Sequence, residues 1–305
     1  MTDAALGAPV PRTRAFAIAA VALAAVAFSL NGFFVRNLEA AGTWQIVFWR
    51  ASGLALAVSA MFLSQHRRRA ARVFRDGLPI ALIAAPTQGV GVILFIYSLT
   101  HTTVANTMMM LSATPLFAAL LGWAFLGERV GWATAAAIAA TMAGIGLMTI
   151  DGLAGGSLWG NLAALGNAAT FAIFITYLRR GRGGDMRPTV ILGALTGVVL
   201  AALIGDGVLA APLHDILLCL AWGAFAQTLG MTLMLIGSRG LPAAEISLVA
   251  MVEFVLAPTW AWTVTGELPT PLSATGGGII FAAMLGWSFR RALLDRPVPL
   301  RPTGS

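Results

Sequence analysis

The chain contains an internal repeat, and each copy holds an odd number of hydrophobic segments. Gln88 and Gln227 lie 139 residues apart, and the same offset places Glu128 on Glu267. Each copy has about five segments of helical length, so the second copy begins on the opposite side of a membrane and is inverted. Inverted repeats are typical of secondary transporters, in which one central site opens to either side in turn.

Composition indicates a membrane protein. Only 10% of the 305 residues are charged and 58% are hydrophobic, whereas soluble domains carry about 25% charged residues. A soluble fold could not cover this much apolar surface. The sequence therefore predicts an all-α polytopic membrane protein, because a helix satisfies its own backbone hydrogen bonds in lipid.

Ten hydrophobic windows are long enough to cross the bilayer, which takes about 20 helical residues. They cover residues 15–35, 44–63, 78–98, 103–126, 132–150, 158–178, 189–205, 215–237, 242–264 and 273–292. The predicted fold is therefore ten transmembrane helices in two inverted five-helix repeats. The first repeat covers residues 15–150 and the second covers residues 158–292.

The distribution of arginine predicts the orientation. All 19 basic residues are arginines, and 17 of them lie on one side of the predicted topology. The loops of the other side carry Glu39, Asp151, Asp206, Asp215 and Glu267. The positive-inside rule then places both termini in the cytoplasm. This segregation also accounts for the net charge of +7, so no nucleic-acid partner is expected.

Polar residues in the middle of predicted spans are candidate site residues, because a polar group in hydrocarbon is costly unless it is satisfied. Gln88 lies in the third window and Gln227 in the eighth, at equivalent positions of the repeat. Their amides could lie about the shared axis, face each other and line a transport path. Hydrogen bonding between neighbouring helices is the alternative role.

Two charged residues lie well inside predicted spans. Glu253, in the ninth window, is a candidate proton carrier, a candidate partner for a substrate ammonium, or a structural partner of an arginine. Arg50, in the second window, could bind a substrate carboxylate, pair with Glu253 or support the fold. The sequence leaves these alternatives open.

Further candidates lie in the fourth and eighth windows. Asn106 and Thr114 occupy positions that carry glutamates in the second repeat. Met110, between them, would offer an adaptable apolar contact. Trp222 lies about one helical turn before Gln227, where its ring could stack on a ligand. Together with the two glutamines, Arg50 and Glu253, these residues form the predicted substrate site.

Other chemistries have no support in the sequence. It contains no phosphate-binding loop, metal-ligand cluster or nucleophile triad, so no metal, cofactor or enzymatic activity is expected. The expected partners are a small-molecule substrate and the lipid bilayer. The expected functional unit is a monomer.

A row of small residues runs along the last window. Gly278, Ala282 and Gly286 are spaced four residues apart, and Ala139 and Ala143 are their counterparts in the fifth window. Such rows permit close contact between membrane helices. They predict that the last helices of the two repeats pack together, either within a protomer or across a dimer.

Two stretches resemble a known family. Residues 113–129 contain the motifs ATPLF and LGER, and residues 251–268 contain MVEF and GEL. They resemble the closing signature of an EamA domain, in the drug/metabolite transporter superfamily. Glu253 matches a common glutamate of that signature, and Arg50 matches an arginine often found in the second helix. Asn31 departs from the Trp-Gly pair of the first helix.

The resemblance implies ten helices and a carrier of the bacterial inner membrane that exports small metabolites by alternating access. Within the superfamily the chain is similar to YddG-type exporters of aromatic amino acids. Carriers of nucleotide-sugars or cationic drugs are the alternatives within transport, and a membrane-embedded enzyme is the alternative outside it. Proton antiport and facilitated diffusion both stay open, with Glu253 as the candidate coupling residue.

Overall fold

The computed structural model describes residues 14–114, 116–117, 120–121, 132–155, 157–180, 185–237, 241, 243–266 and 268–294. Helices joined by short loops account for most of these residues, and none of the described residues lies in a strand. The prediction of an all-α protein is therefore confirmed.

The helices are α1 (Arg14–Ser29), α2 (Asn31–Arg36), α3 (Thr43–His66), α4 (Ala70–His101), α5 (Val104–Leu111), α6 (Trp132–Gly155), α7 (Leu158–Arg180), α8 (Arg187–Ile204), α9 (Leu213–Ala221), α10 (Thr228–Gly237), α11 (Ala243–Thr265) and α12 (Pro271–Leu294). A 3-10 turn, Arg67–Arg69, joins α3 to α4, and a π-helical segment, Trp222–Gln227, joins α9 to α10. Each predicted window overlaps a helix. One third of the fourth window, 103–126, lies outside the described residues, namely 115, 118–119 and 122–126.

The exterior of the helix assembly is apolar. Trp132 and Leu203 are each 77% exposed and Phe225 is 74% exposed. Surfaces of this kind are stable in lipid and costly in water. Five helical stretches are long and apolar enough to cross a membrane, namely Arg14–Arg36, Thr43–His101, Trp132–Asp151, Arg187–Ile204 and Leu213–Gly237. The chain is a multi-pass membrane protein, and the number of ten crossings stays a prediction.

One end of the assembly, here called the Asp151 face, consists of residues 37–42, 100–103, 151–155, 157, 205–212 and 268–270. The carboxylate of Asp215 accepts hydrogen bonds from the backbone N–H groups of residues 39–41, at 2.8–3.0 Å. Arg36 donates from Nη2 to the Thr102 carbonyl oxygen at 3.2 Å. Thr270 donates to the Asp151 carboxylate at 2.6 Å. These bonds tie loops that are far apart in sequence into one surface.

The opposite end, here called the Arg187 face, contains the end of α3 and the residues just before α8. Arg187 forms a buried ion pair with Asp185 and donates to the Gln65 side chain at 2.6 Å. His66 lies 3.2 Å from the same carboxylate. The end of α3 is thereby fastened to the start of α8.

Glycines set the closest helix contacts. A Cβ at Gly53 would overlap the backbone of Leu220, and a Cβ at Gly223 would overlap the Arg50 carbonyl oxygen. Helix α3 therefore approaches α9 and the π-helical segment more closely than larger residues would allow. This approach brings the side chain of Arg50 into the centre of the molecule.

The small-residue row on α12 does not form the predicted contact within the protomer, and the alternative of a contact across a dimer stays a prediction. Helices α6 and α12 do pack together, but their backbones meet at Gly144 and Gly276. A Cβ at Gly278 or Gly286 would meet no neighbouring atom. The period of the row was correct for a helix face, but that face lies away from α6.

Candidate functional site

Arg50 lies at the centre of the candidate site. Its side chain comes from the middle of α3 and the residue is 3% exposed. Nη2 donates to Oε1 of Gln227 at 2.7 Å. The guanidinium carbon lies 4.7 Å from the centre of the Trp222 ring and 5.6 Å from that of the Phe95 ring. Cation–π contacts and one amide oxygen thus surround a buried cation.

No carboxylate neutralises this cation among the residues that the structure describes. The carboxylates of Asp185, Glu39 and Asp215 lie next to His66, Arg187 or His214, and none of them pairs with Arg50. The Nε atom of Arg50 is buried and has no hydrogen-bond partner. A buried arginine without a counter-ion is unusual, because desolvation of its charge is not repaid by an ion pair. The sequence-based alternative that Arg50 pairs with Glu253 does not hold.

The π-helical segment Trp222–Gln227 supplies two of the predicted site residues. The Thr228 hydroxyl donates to the carbonyl oxygen of Gly223, five residues earlier, at 2.9 Å. A π turn rotates the following side chains relative to a regular helix, and such turns are frequent at functional sites. Here both Trp222 and Gln227 reach Arg50 from one segment.

Trp222 is fully buried, at 0% exposure. Its Nε1 donates to Oδ1 of Asn31 at 2.8 Å, and its ring is parallel to that of Phe34 at a centroid distance of 5.7 Å. Because Phe34, Asn31 and Arg50 already contact the indole, a ligand could stack on Trp222 only after one of them moves. Asn31, at which the sequence departs from the family pattern, is thus a positioning residue for this ring.

Gln88 is buried where α4 packs against α8. It is 7% exposed, and its side chain packs directly on Gly193 of α8. Its Oε1 has no hydrogen-bond partner. Within the described chain no hydrogen bond joins the two glutamines, and Oε1 of Gln227 accepts from Arg50 instead. The idea that the two amides face each other has no support in this conformation.

Glu253 is half-buried on α11. One turn later, the backbone of Ala257 closely approaches Gly32 of α2, and Trp260 donates to the Ser29 hydroxyl at 3.0 Å. Glu253 therefore lies near the break between α1 and α2. In the described ranges, its carboxylate takes part in no hydrogen bond or ion pair.

The three candidates of the fourth window lie in different surroundings. Asn106, 4% exposed, lines a polar cavity at the Asp151 face. Met110 is fully buried in an apolar cluster with Met148 and Met284. The Thr114 hydroxyl donates to the backbone of its own helical turn at 2.7 Å. Asn106 thus borders the cavity at the Asp151 face, whereas Met110 packs in an apolar cluster and the Thr114 hydroxyl bonds within its own helical turn.

The chain matches one protein family over part of its length and two named exporters over most of its length. Residues 15–150 match the family described as "EamA-like transporter family". "Pseudopaline exporter CntI" of Pseudomonas aeruginosa is 23% identical over 271 residues, which are 87% of this chain and 93% of that protein. "Probable terminal-alkyne amino-acid exporter" of Streptantibioticus cattleyicolor is 26% identical over 289 residues, covering 87% of this chain and 88% of that protein.

A solved crystal structure shows the same fold. It superposes with a TM-score of 0.64 at 19% identity, covering 96% of this chain and 100% of the other. At this identity the likeness concerns the fold alone. The family match confirms the resemblance inferred from the sequence motifs. The chain is thus a multi-pass membrane protein whose residues 15–150 match the EamA-like transporter family.

Proposed function

We propose that the protein is a secondary transporter that exports amino acids or similar small metabolites across the bacterial inner membrane by alternating access. Ten helices in two inverted repeats, residues 15–150 and 158–292, would form the carrier, with both termini in the cytoplasm. Arg50 and its neighbours would form the central substrate site. No catalytic step is part of this proposal.

The unneutralised guanidinium of Arg50 carries the proposal. A buried cation that keeps an unpartnered Nε and lacks a carboxylate partner in the described chain is prepared to bind an anionic group. The planar guanidinium matches a carboxylate in a bidentate geometry. Amino acids have such a carboxylate, and a substrate that supplies it would offset the desolvation of Arg50.

Helix packing supports the inverted repeat. The offset of 139 residues makes α4 equivalent to the continuous helix that contains α9, the π-helical segment and α10. Helix α4 packs against α7 and α8, and the continuous helix packs against their equivalents α1 and α3. The same offset relates α3 to α8, α5 to α11 and α6 to α12, and the two helices of each of these pairs pack against each other. Two units about a twofold axis would have this pattern.

The Asp151 face supports the topology. The connections before α3, α5, α7, α9 and α12 all meet there through hydrogen bonds or shared cavity walls. Because these connections lie at one face, the chain returns to that face after each pair of crossings. Ten crossings would give this pattern, and the low arginine content of this face supports the proposal that it lies outside the cytoplasm.

Each remaining predicted residue has a proposed role in the carrier. Gln227 holds Arg50 in place, and Gln88 offers a free amide oxygen between α4 and α8. Glu253, without a described partner, is the candidate for proton coupling. Trp222 and Met110 contribute apolar surface once the helices around them move, and Asn106 and Thr114 line the α5 side of the path.

The relatives support the substrate class. Two of the curated proteins that match most of the chain are named as exporters, and one of these names specifies an amino acid. Export of a carboxylate-bearing metabolite agrees with a central arginine. The same comparison disfavours a membrane-embedded enzyme.

Transport in proteoliposomes tests the proposal. The purified protein, inserted into vesicles, should mediate saturable flux of radiolabelled amino acids, with aromatic and aliphatic amino acids compared. The double variant Gln88→Ala, Gln227→Ala should lose most of this flux, while Gly278→Ala, on an open helix face, should keep it. Unchanged flux in the double variant would eliminate the proposed site.

A further inference from the structure

A polar cavity of about 380 Å³ lies at the Asp151 face, away from Arg50. Its walls come from the end of α4, the start of α5, the junction of α6 and α7, and Thr270. Hydroxyl groups, His101, Asn106 and Asp151 line it. Ligand pockets in proteins have volumes of about 300–1,000 Å³, so this cavity has room for a small metabolite.

A chain of hydrogen bonds determines which polar atom of Asn106 is left without a partner. Nδ2 of Asn161 donates to the Met148 carbonyl oxygen at 3.1 Å, and a carbonyl can only accept. Oδ1 of Asn161 therefore accepts from the Thr102 hydroxyl at 2.9 Å. The oxygen of that hydroxyl in turn accepts from Nδ2 of Asn106 at 3.3 Å. The atom left over is Oδ1 of Asn106, which is buried and has no partner.

The Asp151 carboxylate of the cavity also presents an acceptor. Oδ2 of Asp151 accepts from the hydroxyls of Thr270 and Ser273, which leaves Oδ1 without a partner in the described chain. Nδ1 of His101 lies 2.9 Å from both the Tyr97 carbonyl oxygen and the Thr100 hydroxyl oxygen, so these contacts fit either tautomer of the neutral ring.

We infer that this cavity binds a primary ammonium group. An ammonium has three N–H donors and a positive charge, which complement a buried amide oxygen and a carboxylate. A carboxylate ligand would find acceptors opposite its own oxygens and a like charge at Asp151. The nearby Arg36 donates to the Thr102 carbonyl oxygen and does not line the cavity.

The inference rests on the proposed function for the identity of the ligand, an amino acid or a related amine. If the ligand is an amino acid, the two sites bind opposite charged groups of one molecule. Arg50 binds the carboxylate in the centre, and the cavity at the outer face binds the ammonium as the substrate leaves. The cavity itself needs no transport to bind an amine.

Three probes that differ only in their charged groups test the inference. Binding of 2-phenylethylamine, phenylalanine and 3-phenylpropionate to the full-length protein in lipid nanodiscs is measured by isothermal titration calorimetry. We expect the cavity to bind 2-phenylethylamine saturably and not to bind 3-phenylpropionate. Asp151→Asn, which keeps the shape and removes the charge, should weaken 2-phenylethylamine binding at least about tenfold.

Two further variants sharpen the result. Asn106→Leu removes the free acceptor and should also weaken amine binding about tenfold. Asp206→Asn removes an exposed carboxylate outside the cavity and should leave it unchanged. Equal affinity of 2-phenylethylamine for the wild type and Asp151→Asn would overturn the inference. So would binding of 3-phenylpropionate that is sensitive to Asp151→Asn.

The same measurements separate this inference from the proposed function. If transport fails but Asp151→Asn still abolishes amine binding, the cavity stands and the transport proposal falls. If transport depends on Arg50 but amine binding ignores Asp151, the transport proposal stands and the cavity falls. Thermal unfolding of each variant in nanodiscs confirms that the protein measured is folded.

Discussion

Arg50 and Gln227 are joined by a hydrogen bond of 2.7 Å between the second predicted span and the eighth. Arg50 belongs to the first repeat and Gln227 to the second, so this bond connects the two halves of the chain deep inside the molecule. It also holds the guanidinium while leaving its Nε unpartnered. Substitution of either residue therefore tests what this bond contributes.

The first prediction concerns the charge of Arg50. Arg50→Gln keeps a side chain that can bond to Gln227 but removes the cation. Because hydrogen bonds to charged groups contribute about 1.5–3 kcal/mol, we expect amino-acid flux at low substrate concentration to fall about 10- to 100-fold. Flux of radiolabelled substrate into proteoliposomes measures this. Wild-type flux in the folded variant would contradict a role for Arg50 in substrate binding.

The second prediction concerns the close approach at Gly223. Gly223→Ala would place a methyl group on the Arg50 carbonyl oxygen, so α3 and the π-helical segment must separate. We expect a loss of about 2 kcal/mol or more in stability, together with loss of transport. Gly278→Ala is the control, since a methyl group there meets no neighbour. Thermal unfolding in detergent compares the two, and equal melting temperatures would contradict the prediction.

The third prediction concerns the hydrogen bond from Trp222 to Asn31. Trp222→Phe keeps an aromatic ring but leaves the buried Oδ1 of Asn31 without its donor. We expect a destabilisation of about 1–3 kcal/mol. Trp132→Phe, at a site that is 77% exposed, should change stability little. If chemical denaturation ranks the two variants in the opposite order, the indole hydrogen bond is not structural.

The fourth prediction concerns the cap formed by Asp215. Asp215→Ala removes the carboxylate that accepts three backbone N–H groups of residues 39–41. We expect a loss of about 2–4 kcal/mol, since these donors lose a charged acceptor. Asp206→Ala serves as the control for a lost surface charge. Faster proteolysis of the 37–42 loop in Asp215→Ala, and not in the control, would show the same effect locally.

The fifth prediction concerns energy coupling. Glu253 is the half-buried carboxylate of α11 that has no partner in the described chain. If it carries the proton, Glu253→Gln keeps exchange of labelled for unlabelled substrate but loses the response to a pH gradient. Flux is measured with and without that gradient. A wild-type flux that ignores the gradient would instead indicate facilitated diffusion.

Several features of the fold followed from local chemistry. Apolar windows of about 20 residues predict helices in lipid without knowledge of any partner, and the structure has helices at these positions. Glycine, proline and charge mark the connections for equally local reasons. Gln88, Arg50 and Asn106, which the sequence offered as candidate site residues, are buried in the structure, because a polar side chain in the middle of an apolar window avoids lipid by turning toward the protein interior.

Partners were harder to predict than positions. The pairing of Arg50 with Gln227 instead of Glu253 depends on the rotation of α3 and on the π turn before α10. The spacing of apolar residues along the sequence predicts neither of these. The same holds for the small-residue row of α12, whose spacing identifies a face but not the helix that contacts it. Asn31 and Asp215 escaped assignment since their partners lie more than 170 residues away.

The amino-acid order alone therefore determined the membrane location and the helices and predicts the two matched halves, because these depend on transfer to lipid and on spacing along one chain. The tertiary structure decided which buried groups meet. It brought Arg50 to Gln227 and Trp222, packed Gln88 on Gly193, and formed the cavity beside Asp151. Such contacts require helices from both halves to approach at particular angles, and only the packed molecule sets those angles.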